Sequence, residues 1–595
     1  MRPHVHPVML LRRILLGAIV FAVAALLVVL LARVLAPGGW TVVKALLLAC
    51  GVGAAPWLGL CAGNGLLGAA VLLFARDPAR CVLPPGAALA EGPPTLRTAI
   101  AVTIRHEDMA AVLPPLRRLL DGLDRAGAGH LFALVLLSDS TDAAAIVAED
   151  RAVAAFRTAD RDPARIRHRR RAQPEGFKAG NVMDFLDHHA AGFDAAVLLD
   201  ADSAMTAAAV LRLLRVLEGS PRLAIVQHLT VGLPARSAFP RLFQFGMRAG
   251  MRVWAIGQAW WQGDCGPYWG HNAILRIAPF RAHARLAKLP DGRAILSHDQ
   301  LEAAQLRAAG WGVAVLAEED GSAEANPPAL PEFLRRDARW LAGNMQYRHL
   351  LFRPGLHAMG RWQLLQAMLL FTGAPLHVAM LALAALSVAT GGAAEVPDGR
   401  LAALIAAYVG ALYAPKLLGY AQVLLTPAAR ARYGGGRRFA LGAAAEIAFT
   451  LLLDAPAQVS KTLAMARLAL GQTSGWPAQN RSARGVAWRE AARLFWPHTL
   501  FGIAVFAALA AGSWGAALWA VPFAGGLLVA IPFCVLTADP AVSRALRRAR
   551  LAAIPEEACQ GAAIDSYLAM RHAAGSRSAA PYHSAISGNA RTAAQ

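Results

Sequence analysis

The sequence has few charged residues, and its cysteines do not occur in closely spaced pairs. Charged residues make up 16% of its 595 positions and apolar residues 56%, whereas about 25% of a soluble domain is usually charged. This composition argues against a single soluble domain and indicates surfaces that face lipid. The cysteines are scattered and form no C-x-x-C pair, so neither a disulfide framework nor a zinc site is indicated. They are Cys50, Cys61, Cys81, Cys265, Cys534 and Cys559.

Acidic residues are also few. There are 38 Asp and Glu against 59 Lys and Arg, which gives a net charge of +21. Such an excess is typical of nucleic-acid binding, of binding to anionic lipid, or of the cytosolic loops of a membrane protein. The arginines crowd the ends of apolar segments, which favours the last interpretation. We therefore expect a lipid membrane as a partner, and no nucleic acid.

Two long apolar segments open the chain. Residues 14–32 and 45–75 contain no Asp, Glu, Lys or Arg, and about 20 apolar residues suffice to span a bilayer. No small-residue cleavage site with a polar mature start follows the first segment, which favours an uncleaved anchor over a signal peptide. Arginines before the first segment and after the second predict a transmembrane hairpin over residues 1–80, with both ends in the cytosol.

Apolar segments return in the C-terminal part. Residues 362–394 and 497–538 carry no charge, the latter with a predicted turn near 512–515, and 401–427 contains only Lys416. Segment 439–470 is apolar but contains acidic residues. A crossing there would place the arginines of 481–493 outside, so we predict a helix at the cytosolic interface.

The resulting topology is a multi-pass membrane protein with six spans, or eight if a short hairpin is added. The even number leaves both termini in the cytosol. We assign residues 346–540 to interface helices and a C-terminal transmembrane bundle of about four spans, and residues 541–595 to a cytosolic tail.

Between the membrane segments, residues 92–345 have mixed composition. Short apolar runs typical of buried strands alternate with amphipathic, Ala-rich stretches; the runs are 97–104, 130–140, 194–203 and 222–229. This alternation predicts an α/β domain with a mostly parallel, Rossmann-type sheet inserted between α-helical transmembrane segments.

The strongest chemical signal is the pair Asp200 and Asp202 at the end of an apolar run. Side chains two apart on an extended backbone point to the same side. Two carboxylates at the carboxyl end of a strand suit Mg²⁺ or Mn²⁺ bound to a diphosphate. A solvated turn after the strand is the alternative.

Other polar residues suit parts of the same chemistry. Asp139 follows an earlier strand and could contact a nucleotide, and Lys178 could meet phosphate, although each is also ordinary in a loop. Asp299 precedes a helical run, where it could cap the helix or act as a general base.

Arg336 and Arg339 are spaced i and i+3, so they share a helix face. Trp340 offers a flat surface on which a sugar could stack. The alternative is a basic and aromatic helix at the membrane interface.

In this order, these residues resemble the processive family-2 glycosyltransferases, the class that contains bacterial cellulose synthase. That family has an early acidic residue, a D-x-D, a later acidic base and Q-x-x-R-W. KAGN at 178–181 also matches it. Finer stretches resemble the branch that makes osmoregulated periplasmic glucans, namely 268–276, 295–313, 334–344 and 474–481. Two departures are His106, where the family has Asn, and Arg336, where other synthases have Gln.

The resemblance implies a GT-A-like fold and an inverting glucosyltransferase that uses UDP-glucose. Its growing product would be a β-1,2-linked glucan that is exported to the periplasm. A divalent cation, Mg²⁺ or Mn²⁺, would be held by Asp200 and Asp202, and a periplasmic glucan-modifying protein of the OpgG type would be a partner. The alternatives are another processive β-glycan synthase, of the cellulose or curdlan kind, and a non-catalytic polysaccharide channel.

The resemblance also assigns roles to residues. Asp299 would be the base, and Arg336 and Arg339 would stabilise the leaving UDP beside Trp340. Donor contacts would come from Glu107, Asp139, Lys178, Asn181 and Asp200. The acceptor pocket would be shaped by Tyr268, Trp269, His271 and Asn272, unless this is a structural aromatic loop. Trp476 would lie in a loop over the nucleotide.

Export requires a polar path through the bilayer. Tyr413, Lys416 and Tyr420 are spaced i, i+3 and i+7 and so fall on one helix face. A charge within a span usually faces a cavity or a partner, so we predict that this face lines a glucan channel. A lysine that snorkels to the cytosolic boundary is the alternative.

Overall fold

The structure is a computed structural model that describes residues 6–392, 398–472 and 483–559. It begins with two long helices, α1 (Pro7–Leu35) and α2 (Val42–Phe74), and the short α3 (Pro78–Val82). α1 and α2 pack on each other, and Gly59 lets them approach closely because a Cβ there would lie 2.6 Å from the Val20 carbonyl oxygen.

A seven-stranded sheet follows, in the order β3-β2-β1-β4-β8-β6-β9. Its strands are β1 (Thr98–Ile104), β2 (Phe132–Ser138), β3 (Ile166–Arg170), β4 (Ala195–Asp200), β6 (Leu223–His228), β8 (Ala273–Arg276) and β9 (Gly312–Leu316). All neighbouring pairs are parallel except those made by β8, which is antiparallel to β4 and β6. The four predicted strands are β1, β2, β4 and β6, so the prediction of a mostly parallel sheet is confirmed.

A second, small sheet has the order β5-β10-β7. It comprises β5 (Ala204–Met205), β7 (Val231–Gly232) and β10 (Ser322–Glu324). β5 follows directly on the Asp200 turn, and β10 precedes the helix that carries Arg336. This small sheet therefore ties two parts of the predicted site together.

Helices cover the large sheet. They are α4 (Met109–Arg125), α5 (Ala143–Thr158), α6 (Phe177–His188), α7 (Ala207–Glu218), α8 (Ala238–Gln262), α9 (Ile277–His283), α10 (Asp299–Ala308) and α11 (Leu330–Met345). α4 is typical, because Asp108 caps its N-terminus and leucines at helical spacing bury one face against the strands.

α8 connects the sheet domain to the membrane helices. It crosses α2 where both helices carry glycine: a Cβ on Gly68 would overlap the Val253 carbonyl, and one on Gly257 would overlap the Asn64 carbonyl. Arg13 of α1 donates hydrogen bonds to the carbonyls of Trp261 and Gln262 at the end of α8, over 3.4 and 3.3 Å.

The C-terminal part is helical. Its helices are α12 (Ala358–Ser387), α13 (Asp398–Leu412), α14 (Ala414–Leu425), α15 (Pro427–Arg432), α16 (Gly436–Ala469), α17 (Trp488–Gly512), α18 (Trp514–Leu528), α19 (Ala530–Ala538), α20 (Pro540–Arg548) and α21 (Pro555–Cys559). The turn predicted near 512–515 is present, because α17 ends at Gly512 and Ser513 caps α18.

Five of the described helices are long and apolar enough to cross a membrane, namely α1, α2, α12, α16 and α17. Two bent pairs, α13 with α14 (75°) and α18 with α19 (58°), raise the number of candidate spans to at most seven. The chain is therefore a multi-pass membrane protein. The described residues contain no eighth candidate, and the predicted six spans require α16 to lie at the interface.

The helix that was predicted to carry Tyr413, Lys416 and Tyr420 breaks at Tyr413, which is the N-cap residue of α14. All three side chains nevertheless reach α16. Lys416 Nζ lies 2.7 Å from Glu446 Oε1 and 2.7 Å from Thr450 Oγ1, while the hydroxyls of Tyr413 and Tyr420 donate to Asp454 and Glu446. Lys416 is thus neutralised by a carboxylate of the neighbouring helix.

Candidate active site

The carboxyl edge of β2, β1 and β4 gathers the early acidic residues. The register pairs Ile104 with Ser138 and Thr103 with Asp200, so β2 and β4 flank β1 and end at the same edge, where Asp139 directly follows β2. Glu107, half-buried, follows β1 at the same edge. Parallel strands therefore bring together residues that lie far apart in the sequence.

Asp200 and Asp202 are not both on extended backbone, contrary to the prediction. β4 ends at Asp200, and residues 200–203 form a turn in which Ser203 N donates to Asp200 O over 3.0 Å. The Ser203 hydroxyl accepts from Asp200 N, also at 3.0 Å. The turn, and not the alternation of a strand, sets the direction of Asp202.

Lys178 reaches Asp200 from the start of α6 and forms an ion pair with its Oδ1. Gly176 and Phe177, just before it, have φ of 71° and 54°. A left-handed conformation at Phe177 costs roughly 1 kcal/mol or more and is common at binding sites. Arg171 holds this turn by donating to the carbonyls of Glu175 and Phe177 at 2.7 and 3.2 Å.

Asp139 is buried and bound by Arg171 in a bidentate pair, with Nε and Nη2 at 2.8 and 2.7 Å from the two carboxylate oxygens. Arg171 was not predicted, because it closes an Arg-rich run that resembles an ordinary basic loop. It connects the predicted nucleotide-contacting Asp139 with the backbone of the Lys178 turn. A loss of Arg171 would therefore disturb both.

His106 has a structural place at this edge. Its φ is 54°, and its backbone N–H donates to Ser140 Oγ at 2.9 Å. Its ring Nε2 accepts from the backbone N–H groups of Thr141 and Asp142 at 2.8 and 3.2 Å. His106 thus fixes the loop after β1 to the loop after β2, beside Glu107.

Asp299 opens α10, and the N-cap position belongs to His298, so the alternative role of Asp299 as the cap is wrong. His298 Nδ1 lies 2.9 Å from Glu302 Oε2. Burial lowers the pKa of His298, but the Glu302 carboxylate outweighs this, and the net shift is upward. Asp299 and Lys178 are the other charged groups that act on this ring.

The loop that contains Tyr268 packs against the start of α10. A Cβ on Gly270 would lie 3.3 Å from His298 Cε1 and 3.6 Å from Asp299 Cβ. Tyr268 is fully buried and its hydroxyl has no hydrogen-bond partner among the described residues. Burial, followed by Glu302, Asp299 and Asp200, raises the pKa of Tyr268 well above its ordinary value. Asp200 and Asp299 therefore both act on the Tyr268 hydroxyl.

The rest of this loop is divided between structure and site. Asn272 is buried, has φ of 50°, and donates its amide to Ser322 Oγ at 2.9 Å. Trp269 N donates to Gln227 Oε1 at 2.9 Å, whereas His271 Nε2 lies 3.4 Å from Glu324 Oε2. The structural interpretation fits Tyr268 and Asn272 best. Asn181 of α6 is similarly buried, with its amide donating to Leu137 O at 3.0 Å.

Arg336 connects α11 to the site. Its guanidinium carbon lies 4.5 Å from the centre of the Trp340 ring, which is 45% exposed. Burial lowers the pKa of Arg336, against the opposing fields of Asp337, Glu324 and Asp202. Arg339 is half-buried one turn further along α11.

Glu324 is a site residue that the sequence analysis missed, because nothing distinguishes it within its short strand. Burial raises its pKa; Asp202 and Asp200 add to this shift, while His271 and Arg336 oppose it. It thus lies in the electrostatic field of Arg336 and of both predicted metal-binding carboxylates, Asp200 and Asp202.

Asp200 and Asp202 fit a divalent cation by the chemistry of their donors, since carboxylate oxygens are the hard ligands that Mg²⁺ and Mn²⁺ prefer. A different group, Glu149, Asp150 and His168, has its ligand atoms within 4.8 Å of one another. There Arg170 contacts both carboxylates at 2.7 and 2.6 Å. This group is better explained as an ion-pair network behind β2 and β3.

Glu149 shows the strength of that network. Burial would raise the Glu149 pKa, but hydrogen bonds from His168, Ser138, Ser140 and Arg170 hold it at about 2.

Trp476, the remaining predicted site residue, lies outside the described residues.

Comparisons with known proteins identify the relatives of this chain. Residues 196–416 match the family described as glycosyl transferase family group 2. The chain is 32% identical over 565 residues to the glucans biosynthesis glucosyltransferase H of Xanthomonas campestris pv. campestris, covering 91% of this chain and 86% of that protein. It is 33% identical over 520 residues to the protein of the same name from Bradyrhizobium diazoefficiens, covering 84% and 69%.

A solved structure is similar at a lower level. It is a mannosyltransferase from Pyrobaculum calidifontis in complex with GDP-Man and Mn²⁺, with a TM-score of 0.40 and 14% identity over 62% of this chain and 99% of that one. The sequence relatives, not this likeness, carry the functional argument. The predicted fold class, a GT-A-like α/β domain between membrane helices, is confirmed.

Proposed function

The chain belongs to the glucans biosynthesis glucosyltransferase H family within the family-2 glycosyltransferases, and from that premise we propose that it polymerises glucose from UDP-glucose into a β-1,2-linked glucan. One observation supports the assignment of residues. Five of the predicted site residues interact electrostatically at the carboxyl edge of the sheet, either directly or through Tyr268 and Glu324. They are Lys178, Asp200, Asp202, Asp299 and Arg336.

The donor end of the site is the turn after β4. Asp200 and Asp202 would hold a divalent cation, Mg²⁺ or Mn²⁺, which when bound supplies positive charge to the donor diphosphate. Lys178 would shift from Asp200 to a phosphate oxygen as the donor arrives. Asp139, oriented by Arg171, and Glu107 would hold the uridine.

The chemical step is a single displacement with inversion. Asp299 would take the proton of the acceptor hydroxyl as that oxygen forms a bond to the anomeric carbon of glucose. The bond from that carbon to the diphosphate oxygen breaks, and UDP leaves with the electron pair. Arg336 and Arg339 would stabilise the negative charge that develops on it.

The acceptor is proposed to occupy the side of Asp299 that faces away from the donor diphosphate. Trp340 would support its terminal sugar, and Trp269 and His271 would shape the pocket. The sheet domain and both termini would be cytosolic at the inner membrane, and the glucan would leave through the helical bundle near Lys416. A periplasmic glucan-modifying protein would receive it.

The test is incorporation of labelled glucose from UDP-glucose by the full-length protein in membranes, followed by linkage analysis of the product. Asp299→Asn is expected to lower incorporation at least about 100-fold, which is typical for the loss of a general base, while UDP-glucose binding persists. Asp121→Asn, an exposed carboxylate on α4, is the matched control. Normal incorporation by Asp299→Asn would refute the assignment of the base, and a linkage other than β-1,2 would refute the product.

A further inference from the structure

A pocket lies between α11 and the start of α17, outside the proposed active site. Its volume is about 440 Å³, and it is lined by Arg335, Ala487, Arg489, Glu490, Arg493 and Leu494. Arg489 and Arg493 are spaced i and i+4, so they share one face of α17. Arg335 reaches the same pocket from α11, which also carries Arg336, Arg339 and Trp340.

The pocket has an excess of positive charge. Its one acidic residue, Glu490, is held by Arg484 through two contacts of 2.8 and 2.6 Å. Arg484 also forms an ion pair with Glu332 at 2.8 Å, and Arg335 lies 3.6 Å from the same carboxylate. Among the described residues, Arg489 and Arg493 form no ion pair. Three arginines therefore line the pocket, and both nearby carboxylates are already paired with Arg484.

The pocket lies at the boundary of a membrane span. Residues 494–538 carry no charge, so Arg489 and Arg493 stand directly before the apolar part of α17. Trp488 and Trp496 are 58% and 56% exposed, and Leu494 and Leu500 are exposed beside them. Exposed tryptophans next to arginines are typical of the level of lipid head groups.

We propose that this pocket binds the head group of an anionic phospholipid. Arginine is well suited to phosphate, because its planar donors match two phosphate oxygens at once. Basic pockets between membrane helices on the cytoplasmic side bind acidic lipid head groups. Leu494 and the exposed apolar side chains of α17 extend the contact to the acyl chains, which a free phosphate would not use.

A lipid in this pocket would bridge two elements. Arg335 is largely exposed toward the pocket, while the Nε of the adjacent Arg336 is buried. A phosphate bound by Arg335, Arg489 and Arg493 would therefore hold α11 to α17. Lipid binding would favour the arrangement of α11 that the active site requires.

The test measures binding of fluorescent-tailed phosphatidylglycerol and phosphatidylcholine to the full-length protein in detergent micelles. We expect the wild type to prefer phosphatidylglycerol, and each substitution among Arg335→Gln, Arg489→Gln and Arg493→Gln to weaken that preference about fivefold. The matched control is the triple variant Arg151→Gln, Arg222→Gln, Arg281→Gln, three exposed arginines of the sheet domain; it should keep the preference.

Three further readouts make the test decisive. Thermal unfolding identifies any variant that does not fold, and the proposal is then judged on the single pocket substitutions that do fold. Millimolar inorganic phosphate should compete poorly; competition equal to that of the lipid would overturn the lipid assignment in favour of a simple anion site. An unchanged phosphatidylglycerol preference in the folded pocket variants would overturn the proposal. Because binding is measured without turnover, these outcomes are independent of the proposed enzymatic activity.

Discussion

At the scale of the residue, His298 and Glu302 form a pair next to the proposed base. His298 stands beside Asp299 and is held by the buried carboxylate of Glu302 at 2.9 Å. Glu302 therefore orients the ring of His298 next to Asp299.

This pair predicts a pH-dependent contribution to stability. The pKa of His298 is raised above 6.5 in the folded protein, so its stabilising effect is fully present below pH 6.5 and is lost as pH rises through the folded pKa. Glu302→Gln should lower stability by about 2 kcal/mol near pH 6, and the difference should shrink at alkaline pH. Thermal unfolding from pH 5.5 to 9 measures this. A difference that stays constant over that range would contradict a charged His298, and Asp291→Asn, in an exposed loop, serves as the control.

At the scale of the element, close helix crossings join the sheet domain to the membrane helices. Gly257 of α8 packs on the Asn64 carbonyl of α2, where no Cβ fits. Gly257→Ala should therefore destabilise the protein by about 2 kcal/mol, as overpacking of a close contact does. Gly373→Ala in α12 is the matched control: nothing lies within 4 Å of its Cβ position, and alanine should be neutral or slightly stabilising there. Unfolding of both variants in detergent measures the difference, and equal stability would contradict a tight α2–α8 crossing.

At this scale, a helix or strand could be predicted where the residues of a short segment indicate it by themselves. β1, β2, β4 and β6 are continuous apolar runs, so their strands were predictable. β8 was not predicted, because it is only four residues long and its place is set by the strands beside it. The helix break at Tyr413 was not predicted either, because it lies within an apolar run in which Pro415 is the local signal.

The site shows the same limit. Asp139, Asp200 and Asp299 stand at the ends of predicted elements, and family order identifies them. The direction of Asp202 is set by a hydrogen-bonded turn. Arg171 and Glu324 belong to the site only because β3 and β10 carry them there, which no short sequence pattern expresses.

At the scale of the whole molecule, the position of α16 decides how the chain crosses the bilayer. Near its start, Phe439 contacts Phe245 of α8, and Glu446 fills the space left by Gly246 of the same helix. Near its end, Lys461 lies 3.3 Å from Asp337 of α11. Residues 439 and 461 are separated by roughly 33 Å of helix, which exceeds the hydrocarbon core of about 30 Å. Both ends of this stretch thus contact helices of the sheet domain, α8 and α11. This favours an α16 that lies along the membrane interface.

An interfacial α16 predicts that the residues at its start and those after its end face the same compartment. In a variant with its cysteines replaced by serine, Arg437→Cys and Gly485→Cys should both react with a membrane-impermeant maleimide in inverted vesicles, and neither should react in intact spheroplasts. Trp40→Cys, in the exposed turn between α1 and α2, should show the reverse pattern and reports that the membranes are sealed. Labelling of Gly485→Cys but not of Arg437→Cys in spheroplasts would mean that α16 crosses the membrane. Seven spans would then separate the two termini, and the arginines that follow α16 would lie in the periplasm, against the charge distribution that holds elsewhere in the chain.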